Sequence, residues 1–245
     1  MEPVASRFLT AEWRWLVMLN YEIDPALLQP FVPTGTELDQ WQGKTFVSMV
    51  GFRFLNTKIF GMTIPFHSDF EEVNLRFYVR RMTKEGWRRA VVFIKELVPR
   101  RAIAWTARVF YNENYVALPM RHEMQREGDG AIRSVAYDWI FNGRKSRLEL
   151  STKGEADVVE EGSSEEFITE HYWGYARQRD GGTVEYKVEH PRWRVWSAQS
   201  SVFDCDVEGL YGKDFIDVLQ RPPASAFLAD GSAVTVYQGR RFTLQ

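Results

Sequence analysis

The sequence predicts a mainly β protein, a single barrel or sandwich with a few short helical covers. Three observations carry that expectation. Ten or more short apolar or alternating runs are separated by Gly, Pro, Asn and Asp turn signals. Aromatic residues make up 15% of the chain, nine of them Trp, which suits strands with large cross-strand side chains. No fixed-period repeat, low-complexity tract or Pro/Gly/Ser linker divides the 245 residues, so 1–245 is read as one domain.

Taken in order, Trp15–Tyr21 reads as a buried strand, and Asp24-Pro25 as the start of a short helix, an acid at N-cap followed by Pro at N1. Thr45–Phe54 is strand-like, with Val50-Gly51 a bulge or a point of close approach. Lys58–Phe66 is read as an irregular connection. Glu72–Arg80 alternates, with Val73, Leu75, Phe77 and Val79 on one face and Glu72, Asn74, Arg76 and Tyr78 on the other. Lys84-Glu85-Gly86 turns the chain into Arg88–Ile94. Two apolar runs, Val91–Ile94 and Ile103–Tyr111, flank a break at Pro99-Arg100-Arg101, where proline removes a backbone donor.

Val116–Met120 and Ala131–Phe141 are further strands, and Asn142-Gly143 is a strong two-residue hairpin signal leading into Ser146–Ser151. Ser163-Ser164-Glu165-Glu166 resembles a capping box opening a brief helix over Ser164–Glu170. Tyr172–Arg179 and Thr183–Glu189 are expected to pair as a hairpin, Trp193–Val202 to form a strand, and Gly209–Leu219 a short helix. Ala224–Ala229 and Ala233–Tyr237 are expected to pair with each other through a turn at Asp230-Gly231-Ser232.

Composition narrows the function classes. The formal net charge of −2 lacks the basic footprint of a nucleic-acid binder. Cys205 is the sole cysteine, so no intramolecular disulfide forms and a cysteine-based metal site is disfavoured. The four histidines are scattered without an i, i+4 pair, and no metal or cofactor is expected. The start of the chain has no signal-peptide h-region, and no apolar run approaches the roughly 18 residues of a spanning helix. A cytoplasmic protein without membrane or nucleic-acid partners is the expectation, with a homo-oligomer left open.

Glu72, Asn74 and Arg76 form a polar row on one strand face. Such a row lines a pocket, where Arg binds a carboxylate bidentately and Glu donates or orients a proton, or else it is a solvated strand face. Arg100-Arg101 is a charged pocket wall or a solvated strand entrance. His190, in Glu189-His190-Pro191-Arg192-Trp193, is a second acid–base candidate beside Glu72, or part of a turn anchored by Trp193.

Across nearly the whole chain the segments WRWLVMLNYEIDPALLQPFVP, FVSMVGFRF, FEEVNLRFYV, HYWGYARQRDGGTVEYKVEHPRW and FLADGSAVTVY resemble the YqjF-like proteins, an uncharacterised bacterial family. That family is distantly similar to acetoacetate decarboxylase, and the resemblance implies a cone-like closed β-barrel with short helices outside. It places Arg14 at the decarboxylases' pocket arginine and Glu72 at a pocket acid. It also places Arg100-Arg101 where they keep a lysine pair whose first member forms a Schiff base. A guanidinium stays protonated and forms no such imine. A second family acid, expected near Phe46-Val47-Ser48, is missing. The expectation is therefore a small-molecule-binding barrel for a carboxylate or keto acid, with Arg14, Glu72, Asn74, Arg76, Arg100 and Arg101 as ligand-binding residues. Two alternatives stand beside it: a lyase-like enzyme using another lysine or acid–base group, and an interaction protein with a filled barrel.

Overall fold

The computed structural model describes residues 6–99, 114–128 and 131–242. Among the described residues fifteen strands run in chain order: β1 (Arg7–Glu22), β2 (Glu37–Leu38), β3 (Phe46–Ile59), β4 (Met62–Thr63), β5 (Phe70–Thr83), β6 (Gly86–Val98), β7 (Tyr115–Ala117) and β8 (Met120–Arg126). They continue with β9 (Ile132–Phe141), β10 (Arg144–Val158), β11 (Trp173–Arg177), β12 (Thr183–Glu189), β13 (Arg194–Asp204), β14 (Ser225–Tyr237) and β15 (Arg240–Phe242). All fifteen belong to one sheet.

Within that sheet, β12–β11–β6–β5–β3–β1–β14 form a chain of neighbours that closes through β12–β14, a ring of seven strands. Only the β11–β6 pairing within this ring is parallel. Closure leaves these strands without a free edge, the usual way a β protein disposes of unpaired backbone groups. The ring forks at β14. Val236 and Thr235 pair with β12, whereas Ala229, Leu228 and Phe227 pair with β13. From there β13–β10–β9–β8 folds back over the outside of the ring, where Tyr137, Trp139, Leu148 and Leu150 join Val17, Met49, Val73 and Leu75 in one core.

Several expectations are met by specific chemistry. Asn142 and Gly143 both have positive φ, at 48° and 78°, as a type I′ hairpin turn requires. Ser163 Oγ accepts from the Glu166 amide and caps the helix Ser164–Thr169. Asp24 does the same for Pro25–Leu28. Gly51 is the close-approach point: a Cβ there would lie 2.7 Å from the Tyr137 ring.

Other expectations need correction. Ala224–Ala229 and Ala233–Tyr237 are not a hairpin but one strand, β14, both halves of which pair with β1. Gly231 looks like a turn because it is a glycine with φ 75°, yet what it serves is contact with β1: a Cβ there would come within 2.0 Å of the Trp13 carbonyl oxygen. The helix expected over Gly209–Leu219 is three short pieces, Val207–Tyr211, Lys213–Phe215 and Ile216–Leu219, interrupted at Gly212 with φ 94°. Lys58–Phe66 contains a small hairpin, β3 pairing with β4. β1 begins eight residues before Trp15, because half-exposed Glu12 and Arg14 hide its apolar period. β6 ends at Val98, just before Pro99, while the expected strand Ile103–Tyr111 lies outside the described residues.

Candidate functional site

Every strand of the ring contributes to the lining of one cavity of about 170 Å³. Phe8, Trp13 and Leu16 come from β1, Phe52 and Phe54 from β3, Val91 and Phe93 from β6, Trp173 from β11, Tyr186 and Val188 from β12, and Val236 from β14. The cavity is therefore the lumen of the barrel. Its walls are dominated by aromatic rings, with Phe54 stacked on Phe70 at 4.5 Å and Trp13 set edge-on against both Phe52 and Phe54.

The inward row of β5 is polar. Glu72, Asn74 and Arg76 all line the lumen and are buried at 2%, 1% and 8% exposure. Asn74 Nδ2 donates to Glu72 Oε1 at 2.9 Å, and the Tyr115 hydroxyl stands 3.5 Å from Glu72 Oε2. Arg76 sits further along. Its Nη2 donates to the Ile168 carbonyl at 3.3 Å and its Cζ lies 5.8 Å from the Tyr78 ring centre. Arg76 Nε and Asn74 Oδ1 are buried without a hydrogen-bond partner.

Glu96 is a lumen residue that the pattern of β6 does not reveal. Val91 and Phe93 face inward, so strict alternation would bring Lys95 in after them. A bulge intervenes: Leu75 pairs with Lys95 but Arg76 with Phe93, leaving Ile94 as the extra residue. The bulge turns Lys95 outward and Glu96 inward, opposite Asn74. Lys95 Nζ instead donates to the Leu210 carbonyl, and burial lowers its pKa. All eight lysines of the chain fall within the described residues, and none lines the lumen.

Two histidines adjoin the Arg76 end. His171 is buried, tilted against Tyr78 at 4.7 Å and edge-on to Phe167. Burial lowers its pKa to about 4, against the pull of Asp39, whose Oδ2 lies 3.8 Å from Nε2. Arg89 holds that Asp39 at 2.7 Å. His190 stacks on Trp193 at 4.3 Å, with Nδ1 2.9 Å from the Pro191 carbonyl oxygen, and burial also lowers its pKa. Both rings are thus neutral near neutral pH.

Of the residues singled out in the sequence, Glu72, Asn74, Arg76 and His190 come together at the lumen. Arg14 does not. Trp13 and Leu16 face inward, Trp15 between them takes φ 56° in a bulge, and Arg14 points to the other side. There it bonds Glu12 Oε2 at 2.7 Å and the Gly231 carbonyl at 3.2 Å. Arg100 and Arg101 lie outside the described residues. Glu96, Tyr115 and His171 are lumen residues that sequence reasoning missed. Among the described residues no cluster of three His, Cys, Asp or Glu is placed to hold a metal ion, and no helix is long and apolar enough to cross a membrane.

The fold, a closed ring of seven strands with β13–β10–β9–β8 of the same sheet folded over its outside, is acetoacetate decarboxylase-like. Solved structures share it across nearly the full chain. Acetoacetate decarboxylase from Legionella pneumophila matches with TM-score 0.66 at 14% identity, over 97% of this chain and 88% of that one. The enduracididine biosynthesis enzyme MppR complexed with pyruvate matches with TM-score 0.67 at 12% identity, over 99% and 92%. An acetoacetate decarboxylase-like enzyme from Sphingomonas wittichii RW1 matches with TM-score 0.67 at 13% identity, over 98% and 95%. At these identities the likeness is one of fold. The chain itself belongs to the DUF2071 family, described as an uncharacterized conserved protein, whose pattern it matches over residues 10–233. The uncharacterized protein YqjF of Bacillus subtilis (strain 168) is 26% identical over 207 residues, 82% of this chain and 80% of that protein.

Proposed function

We propose that this protein binds a small organic carboxylate in the barrel lumen, with Arg76 as the charge partner of the ligand. The observation that carries this reading is the state of Arg76. It is a permanent cation, more than nine-tenths buried, facing a cavity, with an orphan Nε and no ion pair among the described residues. A buried charge without a counter-charge costs several kcal/mol, and a bidentate carboxylate removes that cost with two charge-assisted hydrogen bonds. The Ile168 carbonyl meets only part of the need. The pyruvate complex of MppR, a protein of the same fold, supports a small carboxylate as the ligand class.

The reading separates binding from imine chemistry. A Schiff base requires a deprotonated amine beside the ligand carbonyl, and no lysine side chain lines the lumen. Lys95, the one with a depressed pKa, is on the opposite face of β6, committed to Leu210. Borohydride added with a keto acid is therefore expected to leave no mass adduct on lysine.

The direct test is a thermal-shift panel of carboxylates, keto acids included, each paired with its uncharged amide. At 100 times Kd a bound carboxylate stabilises by about 2.7 kcal/mol. For a chain of this length that raises Tm by roughly 5–10 °C. Amides are expected to give no shift. A panel in which amides shift Tm as far as their acids, or in which no acid shifts it, overturns the reading.

A further inference from the structure

Asn74 carries information about the ligand that Arg76 does not. Its amide orientation is fixed by chemistry: Nδ2 faces Glu72 Oε1 at 2.9 Å, and a flipped amide would set oxygen against oxygen there. Oδ1 is therefore the free end. It is an acceptor on a side chain only 1% exposed, without a partner, on a residue that lines the lumen. Two residues further along the same face of β5 stands the orphan donor of Arg76, with the two Cα atoms roughly 7 Å apart. The row thus offers a cation and, one step away, an acceptor that needs a hydrogen.

One side of the lumen is apolar. Trp13, Phe52, Phe54 and Phe70 form a wall of stacked and edge-on rings, and the wall runs out to Ile64, the most exposed lining residue at 40%. The cavity, at about 170 Å³, is comparable to the roughly 150 Å³ of an apolar cavity that admits benzene.

We propose that the ligand is an amphiphilic hydroxy acid: a carboxylate held by Arg76, a hydroxyl donating to Asn74 Oδ1, and an aromatic or branched apolar body against the Trp13–Phe54–Phe70 wall. This deepens the carboxylate reading above and rests on it. The carbonyl of a keto acid only accepts, so it leaves Asn74 Oδ1 unsatisfied, whereas a hydroxyl or enol satisfies it.

Calorimetric titration with 3-phenyllactate, 3-phenylpropionate and lactate separates the three parts. 3-Phenyllactate is expected to bind at least tenfold more tightly than 3-phenylpropionate, which lacks the donor, and at least tenfold more tightly than lactate, which lacks the ring. Asn74→Leu is expected to abolish the preference for 3-phenyllactate over 3-phenylpropionate. Ile64→Ser, a neutral change at an exposed site, is expected to weaken both aryl acids more than it weakens lactate. Equal binding of 3-phenylpropionate overturns the role of Asn74 even if Asn74→Leu fails to fold. Equal binding of lactate overturns the apolar body. Each of those outcomes leaves the carboxylate reading standing, whereas silence of all three acids, together with a silent carboxylate panel, overturns both.

Discussion

The two faces of β5 are both buried and yet opposite in character. Outward, Val73, Leu75, Phe77 and Val79 are fully enclosed and pack in the core shared with β9 and β10. Inward, Glu72, Asn74, Arg76 and Tyr78 are as well hidden, but three of the four are polar and face the lumen. Burial is therefore not the quantity that distinguishes them. The outward row stabilises the fold through apolar area and dispersion. The inward row places two unsatisfied polar atoms in a low-dielectric space, an arrangement that opposes stability unless a ligand completes it.

Substitutions on the two faces should then have different consequences, and the largest falls on the outer row. Leu75→Ala opens a cavity between the ring and the strands β9 and β10 folded over it, and is expected to lower unfolding free energy by about 2–5 kcal/mol, read by urea denaturation, on the order seen for buried leucines. Its effect on ligand affinity should be small, since the side chain faces away from the lumen. An equally large loss of affinity at unchanged stability would break the distinction between the faces.

The next effect in size belongs to His171, at the Arg76 end of the lumen. Its folded pKa of about 4 lies below the ordinary value of 6.5. Between those values the unfolded chain binds the proton and the folded one does not, so stability rises with pH across this window and falls on acidification. Stability has its full value above pH 6.5, and about 3 kcal/mol of it is lost by pH 4. The groups facing the ring are Asp39, Arg89 and Arg76, and burial outweighs the attraction of Asp39. Asp39, whose own pKa is lowered, adds a loss in the same direction at lower pH. His171→Phe is expected to flatten the stability profile between pH 4 and 6.5. A slope unchanged in that variant would show that the ring is protonated in the folded protein.

The smallest effect on stability is expected at the residue proposed to hold the ligand. Arg76→Met replaces a buried cation, unpaired among the described residues, by an apolar chain of similar length. Removing a buried charge that has no ion-pair partner is expected to leave the unfolding free energy unchanged or raise it by about 1 kcal/mol. A loss of more than about 2 kcal/mol in the ligand-free protein would identify Arg76 as a structural residue.

How much of this was legible in the sequence differs between the two faces in the same way. The alternation Glu72–Arg80 and the turn Asn142-Gly143 are local signals, and both hold because strand period and turn chemistry are set within a few residues. The inward polar row could be read as a row but not as a lumen, since an alternating strand looks the same whether its polar face meets water or a cavity. What the sequence could not show depends on register. The bulge at Ile94, which exchanges Lys95 for Glu96 in the lumen, and the bulge at Trp15, which sends Arg14 outward, each shift pairing by one residue without a distinctive sequence mark. Gly231 was misread because a glycine at positive φ serves a turn and a close strand contact equally well. The family resemblance placed Glu72 on a position the structure brings to the lumen, and Arg14 on one it does not.

The contrast between these two arginines supplies the most direct test. Arg76 is buried, faces the lumen and has no ion pair among the described residues, whereas Arg14 is half-exposed and paired to Glu12. Titration of wild type, Arg76→Met and Arg14→Ala with a carboxylate that shifts the wild-type Tm should show binding weakened at least thirtyfold in Arg76→Met, the loss of a charge-assisted pair at roughly 2 kcal/mol or more. Arg14→Ala should bind as wild type does. Retained affinity in Arg76→Met with affinity lost in Arg14→Ala would contradict the assignment of the lumen as the carboxylate site.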